Sequence, residues 1–201
     1  MTTLTMPTTP KVRMARFGLI STTQAFRSPL NGVVQTLELS GARWQGTWSY
    51  PPMERDQIAA WQAFLVKLRG MAGRFNGFDP KAVTPRGTAT GTPAVKGGSQ
   101  TGASLITDGW TAGVTGIMKA GDYFSVGGEL KMVTADANSD GSGDATLAFE
   151  PPLRASPSND APLTVTSATA TMMLADDNQA QWDIDLLFYE GLTFSGLEAF
   201  T

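Results

Sequence analysis

The residues whose types and spacing come nearest to chemistry form one polar stretch, Asp136-Ala-Asn138-Ser-Asp140-Gly141-Ser-Gly-Asp144. Carboxylates and an amide at alternate positions can converge on a hard cation such as calcium, and Gly141 permits the sharp bend that such a loop needs. The glutamate that normally closes a helix-flanked calcium loop is replaced here by Leu147, and no helical pattern flanks the stretch. The same residue types also make ordinary β-turn loops. Asp136, Asn138, Asp140 and Asp144 therefore stand as a candidate calcium set, with a plain turn as the alternative.

A second group of acids, Asp176, Asp177, Asp183 and Asp185, lies near the end of the chain. General acid–base chemistry needs paired carboxylates in an enclosed pocket, and no pocket-like context surrounds these. A solvated strand face is the simpler reading. Trp110 follows Asp108-Gly109 in what reads as a loop, where an indole face could stack on a sugar ring. Beyond these the residue types exclude the common catalytic routes. The chain has no histidine and no cysteine, so it contains neither a Ser-His-Asp triad nor a thiolate nucleophile. Its glycine stretches lack the phosphate-loop pattern. The expectation is a protein that is not an enzyme and carries no cofactor.

The elements that must hold these residues are mostly strands. One helix is predicted over 54–69, where Ile58, Trp61, Phe64, Leu65 and Leu68 recur at helical spacing. Glu54 and Asp56 suit its first turn, Lys67 and Arg69 its last, and Gly70 its C-terminal stop. Before it, 31–39 and 42–50 read as two strands joined by a tight turn at Ser40-Gly41 and ended by Pro51-Pro52. Trp44, Trp48 and Tyr50 share a face of the second strand, and Trp61 and Phe64 on the helix are predicted to pack against it. Residues 1–10 read as an arm, 11–20 as a strand, 21–29 as a connector and 71–79 as a short strand. Residues 84–104 are rich in Gly, Thr and Pro and read as a linker or a crossing into a second unit. Short strands follow at 123–126, 129–135 and 145–150, the last stopped by Pro151-Pro152. Two longer ones are expected at 169–174 and 181–189, with Trp182, Ile184, Leu186 and Phe188 buried on one face of the latter.

The resulting expectation is a mainly β protein. A β-sandwich domain with one helix would span 1–86 and 168–201, and a small β-barrel or β-sandwich would be inserted at 87–167. Trp44, Trp48, Trp61, Phe64 and Trp182 are the expected structural core. The 201-residue chain is 41% hydrophobic and only 16% charged, a composition that folds and that suits a surface partly hidden in an assembly. The charge is uneven. Residues 1–86 carry 11 basic against 4 acidic side chains, and residues 87–201 carry 4 against 14. The basic side chains are spread along the first half without a nucleic-acid-binding signature. No apolar run reaches transmembrane length, and residues 1–14 lack the apolar core of a signal peptide, so synthesis in a cytoplasm without that export route and without a membrane anchor is expected.

Two runs carry a resemblance. The first is Ser28-Pro29-Leu30, Gln35-Thr36-Leu37-Glu38, Gly41-Ala42-Arg43-Trp44, Pro51-Pro52-Met53, Ala60-Trp61-Gln62-Ala63-Phe64-Leu65, Leu68-Arg69-Gly70 and Gly73-Arg74-Phe75. The second is Lys119-Ala120-Gly121-Asp122-Tyr123-Phe124, Gly143-Asp144-Ala145-Thr146-Leu147 and Glu150-Pro151-Pro152-Leu153-Arg154. Together they resemble the distal tail proteins of long-tailed siphophages and prophages. The resemblance implies a structural virion protein of the tail tip, made in the host cytoplasm. It implies a homohexameric ring that joins the tail tube protein to the baseplate hub protein, with DNA passing through the lumen unbound. It also implies a β-sandwich ring domain with a helix and a protruding hairpin, and a second β-domain outside it. The segment 87–167 is not recognisably sugar-binding. The alternative, of a different class, is a carbohydrate-binding module of a virion or cell surface using Trp110.

Overall fold

The computed structural model describes residues 2–200. In chain order the strands are β1 (Thr3–Thr5), β2 (Met14–Arg27), β3 (Val34–Ser49), β4 (Arg74–Gly77), β5 (Gly91–Val95), β6 (Gly102–Trp110), β7 (Tyr123–Val126), β8 (Glu129–Val133), β9 (Ala145–Leu153), β10 (Ala170–Leu174) and β11 (Thr193–Glu198). The helix α1 (Arg55–Leu68) lies between β3 and β4. The fold is mainly β, with one α-helix and two sheets, as a β-sandwich with one helix. The six-stranded sheet runs β1-β4-β10-β11-β3-β2 and the five-stranded sheet β5-β6-β9-β8-β7. β1 and β4 pair in parallel, and every other neighbouring pair is antiparallel. The six-stranded sheet thus draws on both ends of the chain and the five-stranded sheet on its middle.

The helix forms where its periodicity places it. Ile58, Trp61, Phe64, Leu65 and Leu68 are buried on the sheet. Glu54 is the N-cap, and its backbone N–H donates to Gln57 Oε1 at 3.2 Å. The helix stops at Arg69 and Gly70, both in left-handed conformation, which Gly70 adopts without steric cost. Its aromatic side chains meet those of β3, β4 and β11. The Tyr50 and Trp61 rings are 4.0 Å apart, Phe64 meets Phe75 at 5.9 Å, and Phe194 lies 5.6 Å from Trp48. A methyl on Gly46 would overlap the Trp48 ring, so glycine there is a packing requirement. Three of the buried indole N–H groups also tie down separate segments. Trp61 donates to Thr9 O at 3.0 Å, Trp48 to Phe78 O at 3.2 Å and Trp44 to Leu130 O at 2.8 Å.

Several elements differ from expectation. The hairpin does not turn at Ser40-Gly41. β3 runs straight through these residues, and its hairpin partner is β2, which absorbs 21–27 of the expected connector. The turn is instead made by 28–33, where Ser28 N donates to Val33 O and Gly32 N to Ser28 O. Ser40-Gly41 falls at a bulge, where the pairing jumps from Ile20↔Arg43 to Thr22↔Leu39. Glycine serves a bulge as readily as a turn, so the local signal was ambiguous. β9 likewise passes through Pro151-Pro152, because the β6 ladder skips from Ser104↔Ala148 to Gly102↔Leu153 and needs no proline N–H there. Of the expected arm 1–10, residues 2–10 are not free, since β1 pairs with β4 and Met6 is buried; Met1 lies outside the described residues. The expected strand at 71–79 is only β4, preceded by a 3-10 turn at Gly70–Ala72.

The largest difference is at 181–189. This stretch is not a strand, and Ile184, Leu186 and Phe188 are exposed. β11, further along the chain, occupies the sheet position between β10 and β3. Alternating hydrophobicity cannot make a strand without a partner ladder, and the place between β10 and β3 is filled by β11. Trp182 is consequently half-buried at the margin of the core and not inside it, while Trp44, Trp48, Trp61 and Phe64 are buried as expected.

Trp61→Ala removes a fully buried ring together with its bond to Thr9. It is expected to lower unfolding free energy by about 3–5 kcal/mol in urea titration, and a loss below about 0.5 kcal/mol would contradict its burial between helix and sheet.

Candidate functional site

The polar stretch at 136–144 folds as a loop whose oxygens are committed to backbone N–H groups. Asp136 Oδ1 accepts from Ala120 N at 2.9 Å, and Asn138 Oδ1 accepts from Gly116 N at 2.7 Å. Asp140 Oδ1 accepts from Ser142 N and Asp144 N, and Asp144 pairs with Lys96. Hydrogen bonds from the Asp144 and Ser142 N–H groups hold the Asp140 carboxyl below its ordinary range. Asp136 and Asn138 thus brace the 116–120 segment, while Asp140 and Asp144 belong to one turn. Among the described residues no group of three or more His, Cys, Asp or Glu is arranged to hold a metal ion.

The C-terminal acids are also dispersed. Asp176 caps a short 3-10 turn by accepting from Asn178 N at 2.8 Å, and Asp177 accepts from Met71 N at 2.9 Å. Asp183 and Asp185 lie in the exposed segment before β11. Two clefts of about 600 and 620 Å³ are open on the surface, and none of these four acids lines either one. Trp110 is not in a loop. It ends β6, is 4% exposed and donates its indole N–H to Thr107 Oγ1 at 2.8 Å, so its ring face is not offered to a ligand.

The feature that stands out is the far half of the β2–β3 hairpin. At its base both strands belong to the six-stranded sheet, but β11 pairs with β3 only from Gln45 to Ser49. Beyond the bulge, residues 22–27 and 34–39 pair only with each other. At about 3.3 Å per residue this two-stranded arm extends roughly 20 Å. A lone ribbon buries neither face, and Phe26, Leu30, Val33, Val34 and Leu37 are all exposed on it. Leu30 at the apex is 96% exposed. The apex is nonetheless shaped, because Asn31 Oδ1 accepts from Val33 N at 3.1 Å in addition to the two backbone bonds of the turn. A signal for this turn, Pro29 followed by Asn31-Gly32, is present in the sequence.

The arm rises from a joint between the two sheets. Arg154, just after β9, forms a bidentate pair with Glu198 of β11 at 2.7 and 3.0 Å and donates to Ala42 O at 3.0 Å. Its guanidinium lies 3.8 Å from the Phe200 ring centroid. Glu198 is almost wholly buried and also accepts from Trp44 N at 3.0 Å. Glu129 accepts from Lys131 at 2.6 Å and from Arg154 N at 3.2 Å. Burial pushes the Lys131 ammonium pKa down, with Glu129 acting against that shift. Tyr123 packs edge-on against Trp44 at 5.4 Å from the other side. The cleft near 600 Å³ opens between this joint and the root of the arm, lined by Leu39, Gly41, Pro151, Leu153 and Phe200. No local pattern marks Arg154 and Glu198 as partners, since they are 44 residues apart.

No family model matches the chain, and no curated protein matches it. Among the described residues no helix is long and apolar enough to cross a membrane.

Arg154→Ala strands the buried Glu198 carboxylate and is expected to cost about 3 kcal/mol in unfolding free energy. Arg154→Lys should recover only part of this, because an ammonium cannot reproduce the bidentate fork. Burial, reinforced by the Asp79 carboxylate, pushes the Tyr123 phenol from 10.0 up to about 12. The folded chain therefore keeps a proton that the unfolded chain loses. This contribution to stability is complete below pH 10 and is lost between pH 10 and 12. Tyr123→Phe should give a shallower fall in stability over that window, measured by urea unfolding at stepped pH.

Proposed function

We propose that this chain is a structural subunit of a bacteriophage tail tip, a distal tail protein. In this reading six copies form a ring that joins the tail tube to the baseplate hub and leaves a channel through which DNA passes without specific binding. The observation that carries the reading is the projecting arm, whose apolar side chains have no partner within the subunit. A monomer gains nothing from an ordered ribbon of exposed Phe, Leu and Val, whereas an assembling subunit buries them against a neighbour. The resemblance of the two sequence runs to distal tail proteins supports it, as does the combination of a helix-backed sheet with a protruding hairpin. Residues 1–86 and 168–201 would be the ring-forming domain, and 87–167 the inserted β-unit carried outside it. The protein would be made in the host cytoplasm and reside at the virion tail tip. Burial of Trp110 removes the aromatic platform that favoured a carbohydrate-binding module.

Light scattering of the purified protein over a range of concentrations tests the proposal. A closed species near six times 21.3 kDa is expected. A strict monomer, both alone and in the presence of tube and hub proteins, would overturn it.

A further inference from the structure

The sequence holds two Asn-Gly pairs, Asn31-Gly32 and Asn76-Gly77. In such a pair the backbone nitrogen of the glycine can attack the asparagine side-chain amide, because no Cβ crowds that nitrogen. The fold treats the two pairs oppositely. Asn76 and Gly77 lie in β4, paired with β10 on one side, and Asn76 is paired with β1 on the other. Gly77 is buried, and a Cβ there would overlap Met172. An extended peptide held in two ladders cannot rotate to bring its side chain back over the next nitrogen.

Asn31-Gly32 sits at the apex of the arm, and both residues are exposed. Gly32 is left-handed, with φ +71°, and nothing lies within 4 Å of where its Cβ would be. Asn31 Oδ1 accepts from Val33 N at 3.1 Å, so the side chain is folded along the chain across the Gly32 peptide. The same bond polarises the side-chain carbonyl and makes Cγ a better target. One backbone bond opposes the attack, since Gly32 N donates to Ser28 O at 3.0 Å. It lies at the tip of a lone ribbon, where local opening costs little free energy.

We propose that Asn31 is a site of spontaneous deamidation, which leaves a carboxylate at the apex of the arm. Gly32 N gives up its proton to water or hydroxide and attacks Asn31 Cγ. The N–Cγ bond forms, the Cγ–Nδ2 bond breaks, and the amide nitrogen takes up a proton and leaves as ammonia. Water then opens the five-membered imide at either carbonyl, giving aspartate or isoaspartate. Water is the only co-reactant, and nothing is oxidised or reduced. Residues 22–39 carry one base, Arg27, and one acid, Glu38, so the change takes the arm from neutral to a single negative charge. The isoaspartate product also routes the main chain through the side chain, which lengthens the turn by one methylene beside Leu30. A carboxylate between Leu30 and Val33 must be desolvated before that tip can be buried against any surface. The chemistry needs only the apex and water, whether or not the arm meets a neighbour.

Peptide mass spectrometry tests this on the intact protein, incubated at mildly alkaline pH and then digested with trypsin at mildly acidic pH. Cleavage after Arg27, Arg43, Arg74 and Lys81 places the two pairs in separate peptides, 28–43 and 75–81. Peptide 28–43 should deamidate about tenfold faster than peptide 75–81, with isoaspartate as the main product, because only the second pair must wait for the sheet to open. In urea the two rates should converge, since both pairs are then free to rotate. Asn31→Gln should remove the signal from the first peptide and leave the second unchanged, because the longer side chain closes its ring far more slowly. Equal rates in the folded protein, or conversion at Asn31 only after unfolding, would overturn the proposal.

Discussion

The interlock of α1 with the six-stranded sheet through aromatic rings is the contact on which the rest of the architecture depends. Tyr50, Trp61, Phe64, Phe75 and Phe194 meet at centroid distances of 4.0 to 6.2 Å, and Trp48 closes the cluster over Gly46. Rings of this size supply much of the buried apolar area available to a sheet with one covered face. They also set the backbone, because each indole must satisfy its N–H. Trp48 fixes Phe78, Trp61 fixes Thr9, and Trp44 reaches Leu130 in the other sheet. The core therefore organises the loops around it and not only the elements that contribute side chains to it.

Against that base the two sheets are joined both by the packing of Tyr123 and Leu130 with Trp44 and by charge. A bidentate arginine–carboxylate pair specifies both distance and orientation, which an apolar contact of the same size does not. Arg154 and Glu198 hold the end of β9 against the end of β11 immediately below the arm, and Lys131 and Glu129 extend the network into the five-stranded sheet. A ribbon that is marginal in isolation gains a root from this arrangement, because β3 enters the arm from between β11 and β2. The bulge at Ser40-Gly41 sits where the ribbon leaves that support.

The surface contrasts with this interior. Many of its side-chain oxygens are spent on turns, and Trp44, Trp48, Trp61 and Trp110 are turned inward. Its distinctive exposed groups are the apolar tips of two preformed turns, Leu30 on the arm and Leu186 before β11.

The sequence by itself determined the helix, its cap and its buried stripe, because a 3.6-residue period over fourteen residues is a local property that no partner is needed to read. It also determined the burial of Trp44, Trp48, Trp61 and Phe64, and the preponderance of β structure. Only the tertiary structure decided which alternating segments became strands. Residues 181–189 alternate more cleanly than Thr193–Glu198, yet β11 took the place between β10 and β3, since a strand exists only where a ladder partner is free. The same holds for Ser40-Gly41 and Pro151-Pro152. A glycine or a proline marks a backbone exception, and whether that exception is a turn, a strand end or a bulge depends on what lies across the sheet. The joint of Arg154 with Glu198 and the projection of the arm have the same origin, for both arise between residues that are distant along the chain and meet only once the sheets are assembled.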